Sequence, residues 1–228
     1  MTTTAFSSEQ TVQPLPLEHM PGNVALMTLE NPEQPLVILD RALLNRIDRT
    51  LDELPEECQT LLIRSCDEKV FVAGANLKEI DSLGDDELRR YLSEGARIFR
   101  RIADLPCASV ALINGAALGG GLELALHCTG IVATRNNAKG RSYPIGLPEA
   151  GLGLCPGWGG TQRLPRIVGY GIANEMIVTG KMVDAVEAHR IGLVNHVVSP
   201  SELSSRCKEI AFEILMEGKA NDQEIFDF

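Results

Sequence analysis

The segment Ala111–Cys128, ALINGAALGGGLELALHC, restricts the fold more than any other stretch of the chain. An apolar run suited to a buried strand ends at Asn114-Gly115, and the cluster Gly119-Gly120-Gly121 then opens a helix over Leu122–His127. Strand, glycine elbow and apolar helix in that order belong to a layered α/β protein. At such an elbow the first N–H groups of the helix lack an intrahelical acceptor and no Cβ shields them, so the place suits an anion or a developing oxyanion. The loop Phe71–Asn76 (FVAGAN), after a different strand, offers a second set of backbone donors among small residues. The architectural alternative stands beside this reading: the glycines serve only tight turns and close helix–strand packing.

The remaining pattern supports the same class. Val24–Leu29 reads as a strand after the turn Pro21-Gly22-Asn23, and the apolar run Pro35–Leu39 as a second strand. Asp40 then fits an N-cap, because Leu43, Leu44, Ile47, Leu51 and Leu54 recur at helical spacing after it. Thr60–Ser65, Ala108–Ile113 and Gly130–Thr134 read as further strands, and Asp85–Ala103 as a long helix. Beyond Gly157 four helical segments follow, with no repeat of fixed period anywhere in the chain. The expected organisation is a flexible tail over 1–17, one core domain over 18–198 and a C-terminal helical segment over 199–228.

Composition excludes several functions. With 228 residues, 44% of them apolar and 4% aromatic, the chain suits one domain with a compact aliphatic core. A net charge of −10 without a basic cluster argues against nucleic acid. The six cysteines show no CxxC pairing, so they read as free thiols of a reducing, cytoplasmic compartment, with no metal site expected. MTTTAFSSEQTVQPLP has neither the basic and apolar regions of a signal peptide nor the arginines of a transit peptide. No apolar run approaches the ~20 residues that span a bilayer, so no membrane partner is expected.

Two acids stand in unusual company. Glu123 lies in LELAL just beyond the glycine cluster, and Glu149 in IGLPEAGLGLCPG. Glu123 could simply complement a helix dipole, and Glu149 could be a solvated loop carboxylate. Facing one pocket instead, burial and mutual repulsion would push their pKa values apart and divide acid from base work between them. The elbow holds neither GxGxxG nor GxxxxGK[ST], and the chain holds neither GxSxG nor HExxH. The four histidines share no ligand spacing, and His127 reads as a core or helix-end residue.

Taken in order, VFVAGANLKEI, ALINGAALGGGLELALHC, IGLPEAGLGLCPGWGGTQRLPRIVG and TGKMVDAVEAHRIGLVNHVV closely resemble the enoyl-CoA hydratase/isomerase family, the crotonases. The likeness runs from Val24 to Val198 and is strongest to the hydratase portion of multifunctional fatty-acid-oxidation enzymes. It implies an α/β spiral of repeated ββα/βαβ units with a helical C-terminal region, shortened here because typical members continue past the equivalent of Phe228. It also implies assembly as trimers or hexamers. Carried over by position, the N–H groups of Ala75 and Gly120 form an oxyanion hole, Ala73 lies against the coenzyme A adenine, and Gly157 orients the reacting water. Glu123 and Glu149 match the two hydratase carboxylates, and Glu149 returns a proton to the α-carbon; isomerases of the family typically keep only the equivalent of Glu149.

The implied partner is an acyl-CoA whose coenzyme A arrives as part of the substrate, with no separate cofactor. By position, Arg41 and Lys78 are the candidate cations for its phosphates, although both also fit ordinary solvated residues. Asn76 stands where the family commonly has Asp, and Trp158 where a small residue usually borders the acyl pocket, so Trp158 is expected to shorten or reshape that pocket. Beside the hydratase stand two alternatives: an isomerase or other crotonase-type acyl-CoA enzyme, and a non-catalytic scaffold subunit with the same fold.

Overall fold

In the computed structural model, which describes residues 12–32 and 34–225, the apolar runs form two sheets between which the chain passes repeatedly. Across the larger sheet the order is β1 (Leu17–Met20), β2 (Val24–Leu29), β3 (Thr60–Ser65), β5 (Ala108–Ile113), β7 (Gly130–Thr134) and β10 (His196–Val198). Only β1 runs antiparallel to its neighbour. The smaller sheet carries β4 (Val70–Val72), β6 (Ala116–Leu118), β8 (Ile145–Gly146) and an antiparallel β9 (Met182–Val183).

Three turns of a spiral result, each going from large sheet to small sheet to helix. The first is β3, β4, then α2 (Leu77–Ser82) and α3 (Asp85–Ala103); the second is β5, β6 and α4 (Gly120–Ala125). The third is β7, β8, a 3₁₀ turn (Pro148–Leu152) and α5 (Gly160–Val168). Before the spiral comes α1 (Arg41–Asp52), and after it α6 (Tyr170–Thr179), α7 (Ala185–Arg190) and α8 (Pro200–Ile225). The ββα repeat is the one the resemblance implies.

Both faces of the large sheet are buried, which explains why its strands read as continuous apolar runs rather than alternating ones. Leu61, Ile63, Ala111 and Ile113 point into the main core, whereas Leu26, Leu62, Val110, Leu112 and Val132 pack against Cys207, Ile210 and Ile214 of α8. Asp40 caps α1 as expected, its carboxylate accepting from the Leu43 N–H at 2.7 Å. The helix of the glycine elbow starts two residues earlier than the sequence indicates, because Gly120 and Gly121 already belong to it.

Two expectations change. Pro35–Leu39 is not a strand; only Leu39 makes a bridge, to Ala75. Its backbone instead splints the loop of small residues: Leu39 N–H donates to the Gly74 carbonyl at 2.9 Å, and the Asn76 and Ala73 N–H groups donate to Leu39 and Val37. The expected tail also ends sooner than residue 17. Leu15 is 2% exposed and donates its N–H to Thr50 Oγ1 at 2.8 Å, while Leu17 opens β1. Residues 1–11 lie outside the described residues.

Gly95, buried within α3, shows how tightly helix and site are fitted. A Cβ there would stand 2.5 Å from Trp158 Nε1 and 2.6 Å from its Cε2. Glycine to alanine within a helix ordinarily gains about 0.5–1 kcal/mol, but overpacking a filled core costs roughly 1–3 kcal/mol. Gly95→Ala is therefore expected to lower the urea midpoint; a raised midpoint would show that the indole is free to move.

Candidate active site

A cavity of about 490 Å³ opens between the glycine elbow, the 73–76 loop, α3 and the 3₁₀ turn. Among its lining residues Glu123, Gly120, Tyr91 and Trp158 are buried, whereas Leu77, Leu152 and Leu154 stand exposed. The lining is therefore mostly apolar, the setting in which charge–dipole interactions are strengthened.

Two residues with free amides line this space from different turns of the spiral. With the Gly74 carbonyl held by Leu39 and the Asn76 N–H donating to Leu39, the Ala75 N–H finds no acceptor among the described residues. Gly120, first residue of α4, is in the same position, as helix starts dictate. Behind the loop the Tyr91 hydroxyl donates to the Leu39 carbonyl at 2.6 Å and fixes the splint. Asn76 caps α2 by accepting from the Glu79 N–H at 3.2 Å, a role Asp fills equally well, so this departure from the family pattern sacrifices no cap.

Glu123, in the first turn of α4, is 1% exposed. Its Oε1 accepts from the Trp158 N–H at 2.7 Å and the Gly160 N–H at 2.9 Å. Gly160 opens α5, and the capping residue Gly159 has no side chain, so the carboxylate of Glu123 supplies the missing acceptor. These bonds favour the charged form, but burial outweighs them and the nearby Glu149 adds repulsion, pushing the Glu123 pKa up to about 7.

Glu149 sits in the 3₁₀ turn behind Pro148, with its carboxylate against Gly119. A Cβ on Gly119 would lie 2.7 Å from Glu149 Oε1, and Gly119 has φ 51°, so both space and backbone require glycine here. Burial raises the Glu149 pKa, and its Oε2 is enclosed without a hydrogen-bond partner among the described residues. One acid is thus anchored by two amides, whereas the other keeps an oxygen free.

Of the remaining predicted residues, Ala73, Gly157 and Trp158 also line the cavity. Trp158 is 3% exposed, and its ring donates from Nε1 to the Leu92 carbonyl at 3.1 Å. The backbone amide of Gly157 helps hold the charge on Glu123. Arg41 and Lys78 are not brought into the wall: Arg41 Nε pairs with Glu79 at 3.2 Å, and Lys78 is exposed on α2. His127 belongs to the core as expected, its Nδ1 2.8 Å from the Glu123 carbonyl and its pKa pushed down to about 4 by burial. The amides of Trp158 and Gly160 escape the sequence reading, because a backbone donor has no side-chain signature. Their only trace is the second glycine cluster, GWGG, before a helix. No group of three or more His, Cys, Asp or Glu among the described residues is placed to hold a metal ion.

Spiral and cavity together define a crotonase-type protein. Residues 19–225 match the enoyl-CoA hydratase/isomerase family, and the chain belongs to that family. It is 41% identical over 196 residues to the short-chain-enoyl-CoA hydratase of Clostridium acetobutylicum, covering 85% of this chain and 72% of that protein. Over 161 residues it is 45% identical to the crotonyl-CoA hydratase of Syntrophomonas wolfei, covering 71% of this chain and 60% of that one. The crystal structure of an enoyl-CoA hydratase from Bacillus anthracis matches with a TM-score of 0.81 at 34% identity, over 89% of this chain and 77% of the other. The chain thus spans between 60% and 77% of the length of these relatives.

Proposed function

We propose that the protein is an enoyl-CoA hydratase, adding water syn across a trans-2-enoyl-CoA to give a 3-hydroxyacyl-CoA. The observation that carries this reading is the pair Glu123 and Glu149 on one mostly apolar cavity with the Ala75 and Gly120 amides. The amides receive the thioester carbonyl oxygen, and water lies between the carboxylates. With Glu123 Oε1 occupied by two amides, its second oxygen and the free Oε2 of Glu149 are available to that water.

As oxygen bonds to the β-carbon, one carboxylate takes the proton released by the water. The C=C electron pair moves to the thioester oxygen as an enolate, which the amide pair stabilises. Glu149 then delivers one proton from the pair to the α-carbon, so the pair ends with as many protons as it began with and one water has been added overall. Burial raises both carboxyl pKa values, which brings protonation of the pair towards neutral pH.

Ala73 would meet the adenine, Gly157 would orient the water, and Arg41 and Lys78, outside the cavity wall, would meet the phosphates. A phosphate there would compete with Glu79 for Arg41. The retention of Glu123, with two amides arranged around it, favours hydration over isomerisation and over an inert scaffold. A cytoplasmic home and a homo-oligomer belong to the same proposal. Cysteines that are free throughout support the first, and the exposed Tyr170, Val178 and Met182 support the second.

Crotonyl-CoA tests the assignment. The conjugated thioester absorbance should fall and the product should gain the mass of one water. Absence of hydration across a series of acyl lengths would overturn it, and migration of the double bond would replace it with the isomerase.

A further inference from the structure

The indole of Trp158 is held on every side that could let it move. Its Nε1–H is tied to the Leu92 carbonyl at 3.1 Å, and it meets Tyr91 and Phe99 edge-on with ring centroids 5.3 Å away in each case. It occupies a slot shaped by two glycines from different turns of the spiral: a Cβ on Gly95 would fall 2.5 Å from Nε1, and one on Gly120 2.5 Å from Cζ3. At 3% exposure the ring is among the buried residues of the cavity wall, whereas the leucines at 77, 152 and 154 are exposed. The N–H of the same residue bonds Glu123, the carboxylate that on the hydratase reading meets the carbon to be hydroxylated. Any alkyl chain continuing inward past that carbon meets the indole.

We infer, resting on the hydratase reading, that Trp158 determines specificity: its fixed indole ends the acyl-accepting space and confines the enzyme to short-chain acyl groups. Gly95 and Gly120 are what make room for this wall. Trimming the side chain leaves the backbone bond to Glu123 in place but vacates the slot beneath Gly95 and Phe99, so added methylenes can be buried there. Each methylene so buried strengthens binding about fourfold.

The test compares crotonyl-, hexenoyl- and decenoyl-CoA as substrates of the wild type, Trp158→Ala and Trp158→Phe. Alongside it, calorimetry measures binding of butyryl-, hexanoyl- and decanoyl-CoA. In Trp158→Ala the kcat/KM ratio of decenoyl- to crotonyl-CoA should rise at least tenfold, with a smaller rise in Trp158→Phe. An unmoved ratio in an active Ala variant overturns the inference and leaves the hydratase reading intact. A wild type that hydrates nothing, yet shows a binding cut-off by chain length that the Ala variant relieves, removes the hydratase reading and keeps the wall. Failure to bind any acyl-CoA removes both. Should the Ala variant not fold, an unchanged profile in Trp158→Phe overturns the inference.

Discussion

Replacing Glu149 by Gln is expected to lower kcat for crotonyl-CoA by about 10²- to 10⁴-fold, the usual worth of a positioned acid or base. KM should change little, because the carboxyl acts on a proton in flight and not on substrate binding. Glutamine preserves shape and leaves the contact with Gly119, and Glu149 Oε2 has no protein partner to lose. Stability at neutral pH should therefore not fall, because burial raises the Glu149 pKa and the substitution removes a buried charge. Steady-state kinetics and urea unfolding on the same preparation check this. Activity within tenfold of wild type would remove Glu149 from the chemistry, whereas a collapse in stability would make it structural.

The second large effect concerns Glu123 and is read in stability. Its pKa is pushed up to about 7 in the folded protein, against the 4.5 of an ordinary glutamate, the value expected for the unfolded chain. Below pH 4.5 both states hold the proton and its burial costs nothing. As pH rises from there to 7, the unfolded chain releases its proton first, binds fewer protons than the folded protein, and stability falls. Above pH 7 the whole cost remains, on the order of 3 kcal/mol from the gap between 4.5 and about 7.

Glutamine can still accept from the Trp158 and Gly160 amides without carrying charge. Glu123→Gln should thus be more stable than wild type at pH 8, with most of the gain gone at pH 4.5. Glu149 also has a raised pKa and repels Glu123, so the difference between variant and wild type reports Glu123 together with its interaction with Glu149. Urea midpoints at the two pH values decide it: a gain independent of pH, or none, would show that the carboxyl is not held at neutral charge by the fold. Hydration should be lost in the same variant, a trade of stability against activity that active sites commonly make.

Particular residues show what was legible beforehand. The strands around Leu62, Val110 and Val132 were visible because a sheet covered on both faces leaves uninterrupted apolar runs. α1 and α3 were visible through helical periodicity and, at Asp40, a cap. The strands β4, β6, β8 and β9 were not, since two or three residues carry no period and their pairing is imposed by neighbours in space. Glu123 and Glu149 stood out as acids in apolar segments, and the glycines marked one of the two amide donors directly. Arg41 and Lys78 did not resolve, because the position of a charge in the sequence says nothing about its direction, and Arg41 turns to Glu79. The amides that anchor Glu123 depend on how α5 is set against α4, a tertiary relation with no local trace.

The winding of the chain has a consequence for how activity is acquired. Ala75 comes from the first turn, Gly120 and Glu123 from the second, Glu149 and the amides of Trp158 and Gly160 from the third. A chain folded through two turns would hold both free amides and one acid, with that acid buried and missing its anchors. Completion of the site therefore requires non-local contacts between turns, such as those of Trp158 and Gly160 with Glu123, 35 and 37 positions apart, which form only after the intervening chain closes. During synthesis or refolding, catalytic competence should arrive as a late, nearly all-or-none event that reports the last turn closing.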